Sequence, residues 1–341
     1  MRNSKTGVLL VNLGTPDSPA PKDVYRYLIE FLTDPRIIDL PWLQRQLLVR
    51  GVIIPTRYKQ SARCYQHIWT TDGSPLMVYS KKVQEALQEL LGQRFVVELA
   101  MRYQNPSLKA GLKNILEKGI QHLIILPLFP QYASASTGSV HQKIMEILRK
   151  QINYPKITFI DSFPAHTVVI DAFCHVAKKN PLLNDYDHYL FSFHGLPQRQ
   201  IKKADRFDHC LKTTNCCQKP CPENSECYSA QCHLTYSAIT KQLKLPQEKT
   251  SIAFQSRLGK DPWIEPFTPV VLEELAKHNK KKILVFCPSF VCDCLETIYE
   301  IGVEYAAEFK TKGGERLDLV QGLNDEPIWT EALKQIVLEN C

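Results

Sequence analysis

Three carboxylates, Asp293, Glu296 and Glu300, follow the apolar run Ile283-Leu284-Val285-Phe286 at positions i, i+3 and i+7. On an α-helix that spacing lines them along one face, with Asp293 at the positive N-terminal end. Such a row can pass a cation or protons along itself. The same residues also fit a plainer description, in which Asp293 is an N-cap, Glu296 completes a capping box and the face is simply solvated. His194 ends a second apolar run, Leu190-Phe191-Ser192-Phe193, and precedes Gly195-Leu196-Pro197. An imidazole titrates near neutrality, so at a strand end it is either a packed core residue or a proton acceptor. Gly195 lets a ligand come close to the backbone.

Six of the twelve cysteines, Cys210, Cys216, Cys217, Cys221, Cys227 and Cys232, crowd into a polar stretch interrupted by Pro220 and Pro222. Without apolar periodicity the stretch cannot bury a core, and a metal organises such a loop instead. Four thiolates satisfy either a tetrahedral zinc or an iron–sulfur cluster, and the spacing does not choose between them. A third segment, residues 127–139, opens from an apolar strand into small hydroxyl residues that suit a ligand or anion pocket. It lacks the Gly-Lys-Ser/Thr ending of a phosphate loop, and no Gly-x-Gly-x-x-Gly follows any strand, which disfavours a dinucleotide.

The elements that must position these residues are short Val/Ile/Leu/Phe runs, each followed by a turn and a helical pattern. The runs are 7–13, 96–103, 122–129 and 157–163, then 189–193, 251–256, 282–288 and 317–321. Strands alternating with helices give parallel sheets covered on both faces, so the expected fold is doubly wound α/β. Asn12-Leu13-Gly14-Thr15-Pro16 echoes Phe193-His194-Gly195-Leu196-Pro197, and Met101-Arg102-Tyr103 echoes Ser256-Arg257-Leu258. The expected organisation is therefore two similar Rossmann-like lobes, 1–160 and 161–325, with a cysteine-rich insertion at about 208–232 and a C-terminal helix at 326–341. Ligands of open α/β sheets bind outside the carboxyl ends of the strands, which predicts a cleft between the lobes.

At 341 residues and 44% hydrophobic, the chain has enough apolar mass for two medium cores. No apolar run reaches the roughly 18 residues of a membrane span. Residues 8–11 run straight into Asn12-Leu13-Gly14, reading as a buried first strand rather than a leader, so the expected location is the cytoplasm, with at most loose membrane association. The net charge of +7 is scattered apart from Lys280-Lys281-Lys282, which argues against nucleic acid.

Taken in order, several of these segments resemble the ferrochelatase family: the His194 run, the acidic run from Asp293 to Glu300, Asn12 to Pro16, Gly73-Ser74-Pro75-Leu76, Met101-Arg102-Tyr103, Leu128 to Tyr132 and Gln255-Ser256-Arg257. The resemblance extends from about residue 7 to 330. It implies an enzyme that inserts Fe2+ into protoporphyrin IX to form haem, bending the macrocycle so that two N–H protons leave. It further implies His194 and Glu296 as catalytic and iron-handling residues, with Asp293 and Glu300 as the acidic path. Tyr132, Arg102, Trp263 and Leu13 match porphyrin-contacting positions, Arg102 towards a propionate. The cysteine stretch resembles that of family members with a [2Fe-2S] cluster, here through Cys210, Cys217, Cys227 and Cys232, with Cys216 and Cys221 as alternates. Position 294 is Cys where some members carry His. Competing readings are a chelatase for coproporphyrin or cobalt, a haem- or iron-sequestering protein, and an iron–sulfur electron carrier.

Overall fold

The computed structural model describes residues 5–213, 215–259 and 261–341. The chain forms two compact units, one of Met1–Phe129, Ala133–Asp161 and Asn324–Cys341, the other of Pro130–Tyr132 and Ser162–Leu323.

The first unit is built on β1 (Thr6–Gly14), β2 (Phe95–Tyr103), β3 (His122–Pro127) and β4 (Lys156–Phe159), all parallel, in the order β2-β1-β3-β4. Side chains alternate across the sheet. Leu9 and Val11 therefore join the apolar faces of helices Leu108–Leu116 and Ser139–Leu148 in one core cluster. Helix Pro75–Leu91 packs on β1 and β2 and is itself packed by the C-terminal helix Pro327–Glu339.

The second unit repeats this plan. Strands β5 (His188–His194), β6 (Thr250–Gln255), β7 (Lys282–Phe286) and β8 (Arg316–Leu319) are parallel in the order β6-β5-β7-β8. Leu190, Ile283 and Val285 face helix Thr268–Lys277 and the helical segment that carries Ile301 and Phe309. On the other face Phe191 stacks on Phe286 with ring centroids 4.5 Å apart and meets Tyr236 of helix Tyr228–Leu243 edge-on. Both sheets are thus covered on two sides, the doubly wound arrangement expected. All eight strands coincide with the apolar runs, although β3, β4, β7 and β8 stop two to four residues short of the run ends. The apolar character continues into the following turns, where the ladder has already stopped.

Strand register tests the internal echo. Asn12 pairs with Met101 and Phe193 with Phe254, while the Met101 and Phe254 N–H groups donate to Pro106 and Pro266 carbonyls at 2.7 and 2.8 Å. Asn12 thus corresponds to Phe193 and Leu13 to His194, as the sequence echo has it. The second echo is corrected by two residues: Arg102 corresponds to Gln255, not Arg257. Matching arginine to arginine misled because a neutral amide fills this position in the second unit. Among the described residues no helix is long and apolar enough to cross a membrane.

Candidate active site

In the second unit the strand order reverses between β5 and β7, the switch point where open α/β sheets bind ligands. β5 ends on His194, and the loop after β7 carries Ser289, Asp293 and the acidic helix.

His194 Nδ1 lies 2.7 Å from the Gly195 carbonyl. A carbonyl oxygen only accepts, so Nδ1 carries a proton in this contact and Nε2 is the nitrogen left to exchange one. The backbone of His194 is fixed from both sides. Its N–H donates to Ser289 Oγ at 3.4 Å, and its carbonyl accepts from the Tyr228 hydroxyl at 2.7 Å. The next N–H, of Gly195, donates to the Gln255 carbonyl at 2.8 Å. A Cβ at Gly195 would come within 2.8 Å of that oxygen and 3.1 Å of the Trp263 ring, which is why glycine follows the histidine. Trp263 is buried against this turn, with its indole N–H donated to the Leu258 carbonyl at 3.0 Å.

The acidic segment is a π-helix, Leu295–Tyr305, whose i→i+5 bonding includes Ala306 N–H to the Ile301 carbonyl. The expected α-helical face is corrected accordingly, and so is the expected cap. Cys294, not Asp293, is the N-cap: its Sγ accepts from the Thr297 N–H, and its own N–H donates to Thr297 Oγ1 at 3.0 Å. π-Helical insertions concentrate at functional sites.

The three carboxylates differ in what they touch. Asp293 is buried, and its Oδ1 accepts from Thr297 Oγ1 at 3.0 Å and Gly322 N–H at 3.1 Å. Glu300 accepts from Ser256 N–H (2.9 Å), Ser256 Oγ (2.6 Å), Tyr305 OH (2.9 Å) and Gln255 Nε2 (3.2 Å). Glu296 is half-buried, and its carboxylate meets the Cys294 thiol. Burial first, and the Glu296 charge second, push that thiol well above its ordinary range. Cys294 is therefore a protonated donor at neutral pH, unlike a soft thiolate metal ligand.

The remaining expected porphyrin contacts are divided between the units. Tyr132, in the second unit, is half-buried and held by its N–H, which donates to Gln231 Oε1 at 2.8 Å. Leu13 and Arg102 lie in the first unit. Leu13 N–H donates to Asn12 Oδ1 at 2.8 Å. The Arg102 guanidinium forms a short ion pair with Asp34, whose side chain is 3% exposed, and its Nε donates to Ser139 Oγ at 2.7 Å. Tyr103 OH also donates to Asp34 at 2.8 Å. Arg102 is thus paired with a buried carboxylate.

The cysteines converge in part. The Cys227 thiol contacts those of Cys210 and Cys217, Cys216 Sγ lies 3.5 Å from Cys217 Sγ, and Cys217 is close enough for its charge to help raise the Cys232 thiol. Cys210, Cys217, Cys227 and Cys232 are buried, whereas Cys216 and Cys221 are partly exposed, Cys221 beside His209 at 3.8 Å. Burial raises the Cys210 thiol to about 11, and contact with Cys227 raises Cys217 further. As thiols, and among the described residues, these groups do not form a ready-made three-ligand metal site. Cys210, Cys217 and Cys227, in contact through the Cys227 thiol, nevertheless offer the sulfur donors that a thiolate-bound iron–sulfur group takes once they are deprotonated.

Sequence reasoning missed Tyr228, Ser289, Asp34 and Gln255. Gln255 carried a signal, lying in the run Gln255-Ser256-Arg257, and so did Ser289, at the head of the segment that leads into the acidic run, both without a role attached.

Comparison with known proteins agrees with this architecture. The sequence profile of the family described as Ferrochelatase matches residues 5–341. A ferrochelatase of Coxiella burnetii (strain Dugway 5J108-111) is 43% identical over 336 residues, covering 98% of this chain and 93% of its own. One from Legionella pneumophila (strain Lens) is 43% identical over 335 residues, covering 98% and 99%. One from Azotobacter vinelandii is 42% identical over 331 residues, covering 96% and 97%. The solved structure of SirB from Bacillus subtilis with Fe3+ shares the fold, with a TM-score of 0.52 at 13% identity over 98% of this chain and 95% of that one. With the profile spanning the described chain from its first residue to its last, and relatives this similar along nearly their whole length, the chain belongs to the ferrochelatase family of metal chelatases.

Proposed function

We propose that the chain inserts Fe2+ into protoporphyrin IX to give protohaem and two protons, with His194 and Glu296 as the reacting side chains. The observation that carries this reading is the 2.7 Å contact of His194 Nδ1 with the Gly195 carbonyl at the switch point, which leaves Nε2 as the ring nitrogen to accept a pyrrole proton. Glu296 receives the iron: its carboxylate is the one of the three not saturated by hard donors, and exchangeable oxygen ligands release a ferrous ion where a closed set would trap it. Asp293 and Glu300, anchored by their donors, supply fixed negative charge behind it. The test is an anaerobic assay with ferrous iron and protoporphyrin IX. Turnover is expected in the parent protein and a loss of about a hundred-fold or more in His194→Ala and in Glu296→Gln. Full rates in both variants would overturn the assignment, and turnover only with coproporphyrin or cobalt would move the substrate.

The cysteine segment holds a [2Fe-2S] cluster through Cys210, Cys217, Cys227 and Cys232, the four buried members of the set. The cluster would order a segment that has no core of its own. A reddish protein whose visible bands vanish in Cys227→Ser supports this. A colourless protein with stoichiometric zinc would replace the cluster with a zinc site.

A further inference from the structure

Gln255, at the end of β6, is 1% exposed and uses all of its amide hydrogen-bonding capacity. Its Oε1 accepts from Ser192 Oγ at 2.7 Å, with the Cys287 thiol at 3.7 Å. Its Nε2 donates to the Glu296 main-chain carbonyl at 2.9 Å and to Glu300 Oε2 at 3.2 Å. Its own carbonyl accepts the Gly195 N–H. One residue therefore touches the turn that holds His194, the strand beneath it and the first turn of the acidic π-helix. Buried amides with every group satisfied specify a geometry, because any shift leaves a polar atom unpaired.

The first unit supplies an independent comparison. Arg102 occupies the corresponding strand position, and its Nε donates to the carbonyl and hydroxyl of Ser139, at 3.2 and 2.7 Å, where the π-helical segment Ser134–Gly138 passes into an α-helix. In both units a side chain at this register, buried in the second unit and partly buried in the first, bonds to the helical stretch that follows the third strand. The first unit uses an ion-paired cation. The second uses a neutral amide, which holds Glu300 without cancelling its charge.

We propose that Gln255 is a positioning residue for metal insertion, holding the Glu296 end of the π-helix in fixed relation to the His194-Gly195 turn. This rests on the reading of His194 and Glu296 as the reacting pair. The amide acts through others: it sets where the Glu296 carboxylate sits when iron arrives, and it leaves porphyrin contacts alone.

The test compares Gln255→Glu, Ser192→Ala, Glu300→Gln and the double variant Gln255→Glu/Glu300→Gln, reading kcat, the KM for Fe2+, the KM for protoporphyrin and the thermal midpoint. Gln255→Glu is nearly isosteric but loses both donors and faces Glu300 with a second carboxylate. It is expected to lower kcat/KM for Fe2+ by about ten-fold or more while the porphyrin KM moves by less than about two-fold. The double variant restores one amide opposite one carboxylate and is expected to exceed the product of the two single effects. Ser192→Ala, which releases the amide's orientation and also a 2.8 Å hydrogen bond to Thr268 Oγ1, is expected to show a smaller loss of the same kind. A folded Gln255→Glu with parental iron kinetics, or one that loses both substrates equally without rescue, would overturn the proposal. If Gln255→Glu does not fold, parental iron kinetics in Ser192→Ala would overturn it. Glu296→Gln run alongside separates the two failures: if it is inactive while Gln255→Glu is parental, the reacting pair stands and the positioning role falls, and if it is fully active the underlying reading falls first.

Discussion

The Tyr228 hydroxyl donates to the main-chain carbonyl of His194 at 2.7 Å, and the thiol of Cys232, one turn further along the same helix, contacts that hydroxyl. Cys227 is the N-cap of this helix, so Tyr228 stands between two of the clustered cysteines and the turn that carries the histidine. Burial pushes the phenol well above its ordinary range, which keeps the hydroxyl a donor. Tyr228→Phe removes the hydrogen bond and little volume. A bond of about 1 kcal/mol corresponds to about a five-fold drop in kcat. Steady-state turnover measured beside the visible spectrum checks this. An unchanged kcat would mean that the His194 turn is held by Ser289 and Gln255 without the tyrosine.

Cys294 caps the π-helix and donates to Glu296, and both duties need a small group with one donor and one acceptor. Serine has both. Cys294→Ser is expected to keep turnover within about three-fold, while Cys294→Ala loses a cap worth about 1 kcal/mol and releases Glu296. Unfolding curves and iron kinetics on both variants check it. Equal behaviour of the two would show that residue 294 only fills space.

How much of this was legible beforehand depends on the range of each interaction. The eight strands were readable because fully buried parallel strands are written as continuous apolar runs, such as Val8 to Val11 or Leu190 to Phe193. His194 was readable because a strand end is a local property. The π-helix was not, since Asp293, Glu296 and Glu300 have a spacing that suits an α-helix equally well, and the i→i+5 bonding is a property of the folded backbone. Asp34 was invisible for the same reason: it lies 68 residues from Arg102, and only the packed fold brings the two charges together.

That ion pair carries its own expectation. Removing one partner of a buried pair leaves the other charge unpaired, at a cost of about 3–5 kcal/mol. Arg102→Met and Asp34→Asn are each expected to lose stability on this scale, and the double variant Arg102→Met/Asp34→Asn less than the sum of the two. Denaturant unfolding measures the cycle. Arg102→Met with parental stability and weakened porphyrin binding would assign the arginine to the propionate role instead.

His188, at the start of β5, sets an acid limit on the second unit. Its Nε2 pairs with Ser251 Oγ at 2.8 Å, its Nδ1 is buried without a partner, and burial, with Lys280 adding to it, pulls its pKa from the ordinary 6.5 down to about 4. The folded state therefore keeps the ring neutral while the unfolded chain takes up a proton below pH 6.5. Stability rises with pH through this window, and the loss on acidification begins near pH 6.5 and levels off below about pH 4. Between pH 7.5 and pH 5 the histidine accounts for about 2 kcal/mol of lost stability. His188→Gln keeps a group able to pair with Ser251 and has no proton to gain, so its unfolding free energy is expected to fall by about that much less over the same interval. Denaturant titrations of both proteins at the two pH values decide it, and parallel losses would mean that the ring protonates without cost and is less sequestered than its packing indicates.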